Sequence, residues 1–180
     1  MKLAALALLG ALAVLVLAAP AEASVSHRDA VLASTDSWIA SQLHVPVVHR
    51  ADVMASAEQG VPDYGGQVSC TDLTEVSYGL SVFDALADRR DPMFEDAWSI
   101  VLHEHLHRLL GHECVVFPDG ELDTQWVFFE EGLTDAVRVD LFPAFFRAEF
   151  GRRPDWPAVP MGQYHGNVAA VRAASRYATG

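Results

Sequence analysis

The chain carries two histidines four residues apart, His103 and His107, and an acidic residue, Glu104, directly follows the first. On an α-helix, residues four apart share one face, so both imidazoles can bind one metal ion. Glu104 would lie about 100° around that helix from His103, within reach of a water molecule bound to the metal. Two neutral imidazoles and a neighbouring carboxylate are the groups that zinc-assisted hydrolysis of an amide bond requires.

Helix signals surround this H-E-x-x-H motif. Asp91 and Pro92 are typical of an N-cap and the first helical residue, and Gly111 is typical of a helix stop. The pattern predicts a helix over residues 92–110, with the histidine pair on the flank of a buried stripe. His105 should point away from the pair, toward the surface or a supporting position. The apolar stripe is formed by Phe94, Trp98, Leu102, Leu106 and Leu109.

A catalytic zinc site normally has three protein ligands and a water molecule, so the two histidines need a partner. His112 is close in sequence, but Leu110 and Glu113 occupy the positions where the longer metzincin motif needs Gly and His. Cys70 is a second candidate, and it would make the chain similar to peptide deformylases, which combine a cysteine with an H-E-x-x-H helix. The remaining candidates are carboxylates in a second predicted helix, residues 125–140.

Around those carboxylates the chain resembles the gluzincins, the thermolysin-like and aminopeptidase-like group of zinc peptidases. Their third ligand is a Glu on a helix downstream of H-E-x-x-H, often in the context W-x-x-E-G-x-(A/T). The matching residues are Trp126, Glu131, Gly132 and Thr134, and the resemblance covers residues 92–137. Trp126 lies five residues before Glu131 rather than three, and 23 residues separate His107 from Glu131, slightly more than in thermolysin-like proteins.

The resemblance implies a role for each of these acids. Glu131 would be the third ligand, with its neighbour Glu130 as the less favoured alternative. Asp135, four residues further on, would orient His103, as carboxylates do for metal-bound histidines. Gly132 would remove a side chain where the two helices must approach for Glu131 to reach the metal.

The resemblance also implies a donor for the developing oxyanion. Small gluzincin-like domains often carry Tyr and Gly at the start of a helix after the ligand helix, and Tyr164, His165 and Gly166 look similar. Tyr164 or His165 would be the donor; the alternative is a loop aromatic beside a surface histidine. Seven further large aromatic residues are expected in the hydrophobic core rather than in a substrate pocket. They are Trp98, Trp126, Phe128, Phe129, Phe142, Phe145 and Phe146.

The first 23 residues are typical of a secretory signal peptide. Lys2 precedes an apolar run over residues 3–19, and the sequence Ala-Glu-Ala at 21–23 predicts cleavage after Ala23. An uncleaved anchor is the alternative. The mature chain, residues 24–180, has the size of one domain. In a secreted protein the two cysteines, Cys70 and Cys114, favour a disulfide bond.

The net charge is −12, which excludes nucleic-acid binding through a general positive field. After signal cleavage no other segment is apolar enough to span a membrane, so no membrane association is expected.

The remaining patterns predict an α+β fold. A helix is expected over residues 28–44, a short strand over 45–48 and a strand over 76–82, where apolar and polar residues alternate. Val68 and Cys70 would belong to a neighbouring strand, and a last helix would begin at Gln163. A small N-terminal sheet would thus precede the H-E-x-x-H helix and the ligand helix in a compact zincin-like domain. An edge of this sheet could hold an extended peptide.

These observations predict a secreted zinc-dependent peptidase acting on a peptide or protein substrate. His103, His107 and Glu131 would bind Zn²⁺, and Glu104 would take a proton from the attacking water. Three alternatives stay open: a zinc-binding domain without activity, a deformylase-like amidase that uses Cys70, and a zinc-free structural or interaction protein.

Overall fold

A computed structural model of the protein describes residues 21–47, 52–55, 63, 65–68, 75–110, 124–156 and 164–179. Five helices and three short strands lie in these ranges. The helices are α1 Ala21–Leu43, α2 Leu80–Ala85, α3 Phe94–Leu110, α4 Thr124–Phe150 and α5 His165–Thr179. The strands are β1 Asp52–Ala55, β2 Gly66–Val68 and β3 Glu75–Tyr78. Helices dominate and the strands form one small sheet, so the broad α+β class is confirmed.

Several predictions for the N-terminal part fall outside these ranges. Residues 1–20 are not among the described residues, which begin within α1 at Ala21. Both Cys70 and Cys114 also lie outside, so the signal peptide and the disulfide bond stay predictions. Across the described helices, none is long and apolar enough to cross a membrane.

The sheet has the strand order β1-β3-β2, with β1 parallel and β2 antiparallel to β3. Gly66 of β2 pairs with Tyr78 of β3, and Val68 pairs with Val76. The side chains of Val68, Val76 and Tyr78 are buried, as the alternating pattern predicted. In the described part of the sheet β2 is an edge strand, and α3 packs beside it.

Two strand predictions were wrong. The strand expected over 76–82 ends at Tyr78, because α2 begins at Leu80. There the Asp63 carboxylate accepts hydrogen bonds from the Ser81 backbone N–H (3.2 Å) and hydroxyl (2.6 Å), which satisfies a free donor of the first helical turn. Residues 45–47 are neither helix nor strand. Pro46, which has no N–H for a strand ladder, lies among them.

The predicted start of the H-E-x-x-H helix is confirmed to within two residues. The Asp91 carboxylate accepts a hydrogen bond from the Met93 N–H at 2.7 Å, and the Asp91 carbonyl accepts one from the Phe94 N–H at 3.0 Å. Asp91 therefore caps α3, whose first residue is Phe94 rather than Pro92.

The centre of the hydrophobic core is an aromatic cluster between the first half of α3 and the second half of α4. Trp98 lies 6.3 Å from Phe145 and 5.2 Å from Phe150, measured between ring centroids. Phe94 contacts the same cluster edge-on. The core positions predicted for Trp98, Phe142, Phe145 and Phe146 are confirmed.

The first half of α4 does not follow that prediction. Trp126, Phe128 and Phe129 are all exposed, with exposed fractions of 44%, 55% and 48%. The reason is that this half of the helix turns a polar face, not its aromatic residues, toward α3. The helix also runs ten residues beyond its predicted end at residue 140 and closes at Gly151, whose φ of 71° is the left-handed conformation of a helix C-cap.

Gly132 permits close packing, but against α5 rather than α3 as predicted. A Cβ atom on Gly132 would lie 2.5 Å from the Asn167 Cβ and 3.0 Å from the Asn167 carbonyl carbon. Nearby, the Asn167 amide donates a hydrogen bond to the Phe128 carbonyl at 2.8 Å. Gly132 follows Glu131 by one residue and so lies about 100° further around α4, on the side that meets α5.

Gly132→Ala should therefore destabilise the fold, by about 1–3 kcal/mol in the free energy of unfolding, because backbone atoms of α5 must move. Urea denaturation followed by circular dichroism measures this. The matched control is Gly166→Ala, since a Cβ atom there meets no other atom within 4 Å. The control should leave the free energy of unfolding unchanged or raise it slightly. Equal stability of Gly132→Ala and wild type would contradict the close α4–α5 contact.

Candidate metal centre

The site lies where α3 and α4 pack against each other in antiparallel directions. His107 is opposite Glu130, His103 is opposite Asp135, and Ser99 accepts a hydrogen bond from Arg138. The positions on α3 decrease as those on α4 increase, which defines the antiparallel register. Acidic and polar residues at helical spacing on α4 thus face the histidine pair of α3. These residues are Glu130, Glu131, Thr134, Asp135 and Arg138.

His103, His107 and Glu131 form a group that could hold a metal ion. One ligand atom from each lies within 4.8 Å of the other two. Glu131 Oε2 is 3.1 Å from His103 Nε2 and 3.2 Å from His107 Nε2, and the two Nε2 atoms are 2.9 Å apart. Ligands at zinc-to-ligand distances of about 2.0–2.1 Å in a tetrahedron are about 3.3 Å apart, close to these separations. Two imidazoles and one carboxylate are a donor set typical of catalytic zinc.

Glu130 contacts the other ring nitrogen of His107 and not the ligand atoms. Its Oε1 lies 2.5 Å from His107 Nδ1, and the Thr134 hydroxyl lies 3.3 Å from both groups. A proton on Nδ1 that is donated to Glu130 leaves the Nε2 lone pair free for a metal. The sequence offered Glu130 and Glu131 as alternative ligands. In the structure Glu131 Oε2 approaches the Nε2 atoms of both histidines, whereas Glu130 contacts Nδ1 of His107.

Asp135 lies beside His103 as predicted, although the contact is long. Its Oδ1 is 3.7 Å from His103 Nδ1, an ion-pair separation rather than a hydrogen bond. The carboxylate is fully buried and accepts a 2.7 Å hydrogen bond from Arg138 Nε. Arg138 in turn reaches Ser99 of α3. Asp135 therefore connects a ligand histidine to the polar contacts that join the two helices.

Glu104 is buried next to the edge strand of the sheet. A Cβ atom on Gly66 would lie 2.5 Å from Glu104 Cγ and 3.0 Å from its carboxyl carbon. Only glycine lets β2 pass this close to the carboxylate. Burial raises the pKa of Glu104, the neighbouring His103 and His107 lower it, and the Glu131 charge raises it again, with a net increase. In the sequence, the Gly65-Gly66 pair is the one signal of this close approach.

The two proposed oxyanion donors differ in position. The Tyr164 ring is half-buried and lies parallel to the His103 ring, with centroids 6.2 Å apart and an interplanar angle of 6°. His165 is exposed at the first residue of α5. Tyr164 is thus the member of the pair that borders the candidate site.

His105 was predicted to lie either at the surface or in a supporting position. It is completely buried, so the surface alternative was wrong. Its Nδ1 lies 2.7 Å from Asp36 Oδ1 of α1. The surface prediction failed because α3 is covered on its far side by α1, in addition to α4 and the sheet.

The ionisable groups around the histidine pair strongly shift one another's pKa values. Burial lowers the pKa of His107, but hydrogen bonds to Glu130 and Glu131 outweigh burial and raise it to about 10. Burial likewise lowers the pKa of His103, while Asp135 and Glu131 raise it, with a net increase. Burial would raise the pKa of Glu131, yet the two histidines lower it far below its usual range. The Glu131 carboxylate is therefore paired with a protonated His107, and a metal ion bound at the three ligand atoms would displace that proton.

Comparison of the chain with protein-family models, with curated proteins and with solved structures gave no match.

The metal-free protein should lose stability as the pH rises from about 6.5 to 10. The pKa of His107 in the fold, about 10, lies above its ordinary value of 6.5. Protonated His107 therefore stabilises the fold fully below pH 6.5, and this contribution is lost as the pH approaches 10. Metal affinity should rise over the same range, about tenfold per pH unit for each proton released.

Urea denaturation of chelator-treated protein and chelator competition, both at several pH values, measure these two trends. In Glu130→Gln, which replaces the charged acceptor at His107 Nδ1 with a neutral amide, both trends should be weaker. A metal affinity that does not change with pH would contradict the protonated state of His107.

Proposed function

We propose that this protein is a secreted zinc peptidase with a compact gluzincin-like site. The observation that carries the proposal is the convergence of one atom each from His103, His107 and Glu131 within 4.8 Å, with Glu104 next to His103 on the same helix. Three protein ligands leave a fourth position for water, the arrangement of catalytic rather than structural zinc. Secretion rests on the predicted signal peptide, residues 1–23.

The chain supplies the groups that peptide hydrolysis needs. Bound zinc would provide Lewis acidity toward water and the scissile carbonyl. Glu104 takes a proton from the attacking water and passes it to the leaving amine. Its buried position raises its pKa toward the range in which a carboxylate can hold a proton between these steps. Tyr164, beside His103, is the favoured donor to the developing oxyanion, and His165 is the second candidate.

The edge of the sheet offers a place for an extended substrate. Strand β2 contacts β3 on one side, and Gly66 brings it against Glu104. A peptide that adds to this edge by backbone hydrogen bonding would pass close to Glu104 and the ligand group. This supports a peptide or protein as substrate, bound by its main chain.

Bound zinc and casein hydrolysis, measured for wild type, Glu104→Gln and Glu131→Gln, test the proposal. Glu104→Gln should keep zinc and lose activity by about 100-fold or more, because it removes the proton acceptor and no ligand. Glu131→Gln should lose zinc. Asp140→Asn is the control for a lost acid on α4, since this exposed carboxylate pairs with Arg172 on the surface. It should keep both zinc and activity.

Each alternative has its own outcome in this experiment. Zinc binding by wild type without hydrolysis identifies a binding domain. No stoichiometric zinc identifies a zinc-free protein. Zinc retained in Glu131→Gln contradicts the ligand assignment, and loss of zinc in Cys70→Ser would then favour the deformylase-like amidase.

Gly66→Ala should lower activity without removing the metal. The new Cβ atom would overlap Glu104 Cγ, so the carboxylate must move, and the three atoms nearest to it all belong to Glu104 rather than to a metal ligand. We expect a decrease in kcat of about tenfold or more, since a misplacement of 1 Å at a catalytic group can cost about 100-fold. Steady-state kinetics and zinc content measure this, with the surface variant Asp140→Asn as the control. Unchanged kcat would contradict the role of Glu104 or its contact with β2.

A further inference from the structure

A second polar cluster lies on the side of α3 that faces away from the metal ligands. The Asp36 carboxylate of α1 contacts two residues of α3 at once. Its Oδ1 lies 2.7 Å from His105 Nδ1, and its Oδ2 pairs with Arg108 Nη2. All three side chains are buried, with exposed fractions of 5%, 0% and 8% for Asp36, His105 and Arg108. Nothing in the proposed reaction uses this cluster.

The two contacts restrain α3 in two directions. His105 and Arg108 are three residues apart, so they lie about 60° apart around the helix and about 4.5 Å apart along its axis. One carboxylate that holds both donors fixes the rotation of α3 and its position along its axis. A single contact would leave one of these motions free.

The ligand histidines are the immediate neighbours of these contacts. His103 and His107 are each two residues from His105, and Arg108 follows His107 directly. Their ring nitrogens lie about 6 Å from the helix axis, so a rotation of α3 by 10° moves them by about 1 Å. Catalytic and metal sites require placement within about 0.5 Å and 10–20°. The orientation of α3 therefore determines whether both nitrogens reach Glu131.

Packing alone does not require this cluster. Val31, Leu32 and Ile39 of α1 are buried in the hydrophobic core and already attach α1 to the rest of the fold. A buried ion cluster is often no more stabilising than apolar residues of similar volume. The cluster differs from apolar packing because hydrogen bonds depend on direction. They favour one orientation of α3, whereas apolar contacts allow several.

We propose that Asp36 is a positioning residue for the metal centre. Through His105 and Arg108 it sets the orientation of α3 and, with it, the places of His103 and His107 relative to Glu131. It acts from α1, on the opposite side of α3 from the ligands, and does not touch the metal. The inference rests on the metal site of the proposed function.

Asp36→Asn tests the inference. It keeps the size of the side chain, but its amide NH2 group would face a hydrogen-bond donor of His105 or Arg108. The zinc dissociation constant, from chelator competition, should rise about 10–100-fold, the range for supporting residues of metal sites. The absorption spectrum of the Co²⁺-loaded protein should change, since it reports ligand geometry. Asp29→Asn is the matched control on α1, where an exposed carboxylate pairs with Arg28. It should change neither quantity.

A purely structural role for Asp36 gives a different result. Asp36→Asn would then lower the free energy of unfolding and leave zinc affinity and the cobalt spectrum unchanged at temperatures where the protein is folded. That result overturns the inference and leaves the proposed function intact. A wild-type protein that binds no metal contradicts both.

A pair of variants at His105 covers the case in which Asp36→Asn does not fold. His105→Asn keeps an amide donor near the position of Nδ1, whereas His105→Leu removes it. Zinc affinity and the cobalt spectrum should be close to wild type in His105→Asn and altered in His105→Leu. Identical metal properties in the two variants would overturn the inference.

Discussion

The antiparallel register of α3 and α4 is the constraint on which the candidate site depends. The ligand group draws two side chains from one helix and one from the other, and these helices meet through contacts from His107–Glu130 to Ser99–Arg138. A shift of one residue along α4 would turn Glu131 by about 100°, away from the histidines. The aromatic cluster around Trp98 contacts the far end of the same helix pair, so hydrophobic packing and polar contacts select one register together.

Several acidic residues lie around the ligand group, and burying their like charges costs free energy. A bound cation would reduce this cost. Glu104, Glu131 and Asp135 are acidic residues close to one another, and two of them are fully or almost fully buried. Buried charges of one sign must be neutralised or paired. In the metal-free protein His107 and Arg138 supply the positive charge. The buried acidic residues therefore favour positive charge at the histidine pair, with or without a bound ion.

Local signals in the sequence predicted the elements of the site better than their surroundings. The capping residue Asp91, the histidine spacing and the helix that carries Glu131 were all visible, because each depends on residues within one or two turns. Contacts between segments that are distant in sequence could not be predicted in this way. Asp36 and His105 are 69 residues apart, and Ser81 is capped by Asp63 from 18 residues away. The exposed Trp126 and Phe129 show the same limit, since an aromatic residue indicates burial only when a partner surface reaches it.

The length of α4 has a consequence for how this protein can change over evolutionary time. One continuous helix of 27 residues carries the acidic residues in its first half and the core aromatics in its second. The two sets occupy different turns, so substitutions at the acidic positions leave the aromatic cluster in place. A descendant could lose the acidic residues that face the histidine pair and still keep the aromatic cluster between α3 and α4. Selection for the aromatic cluster alone would therefore not preserve Glu130 and Glu131.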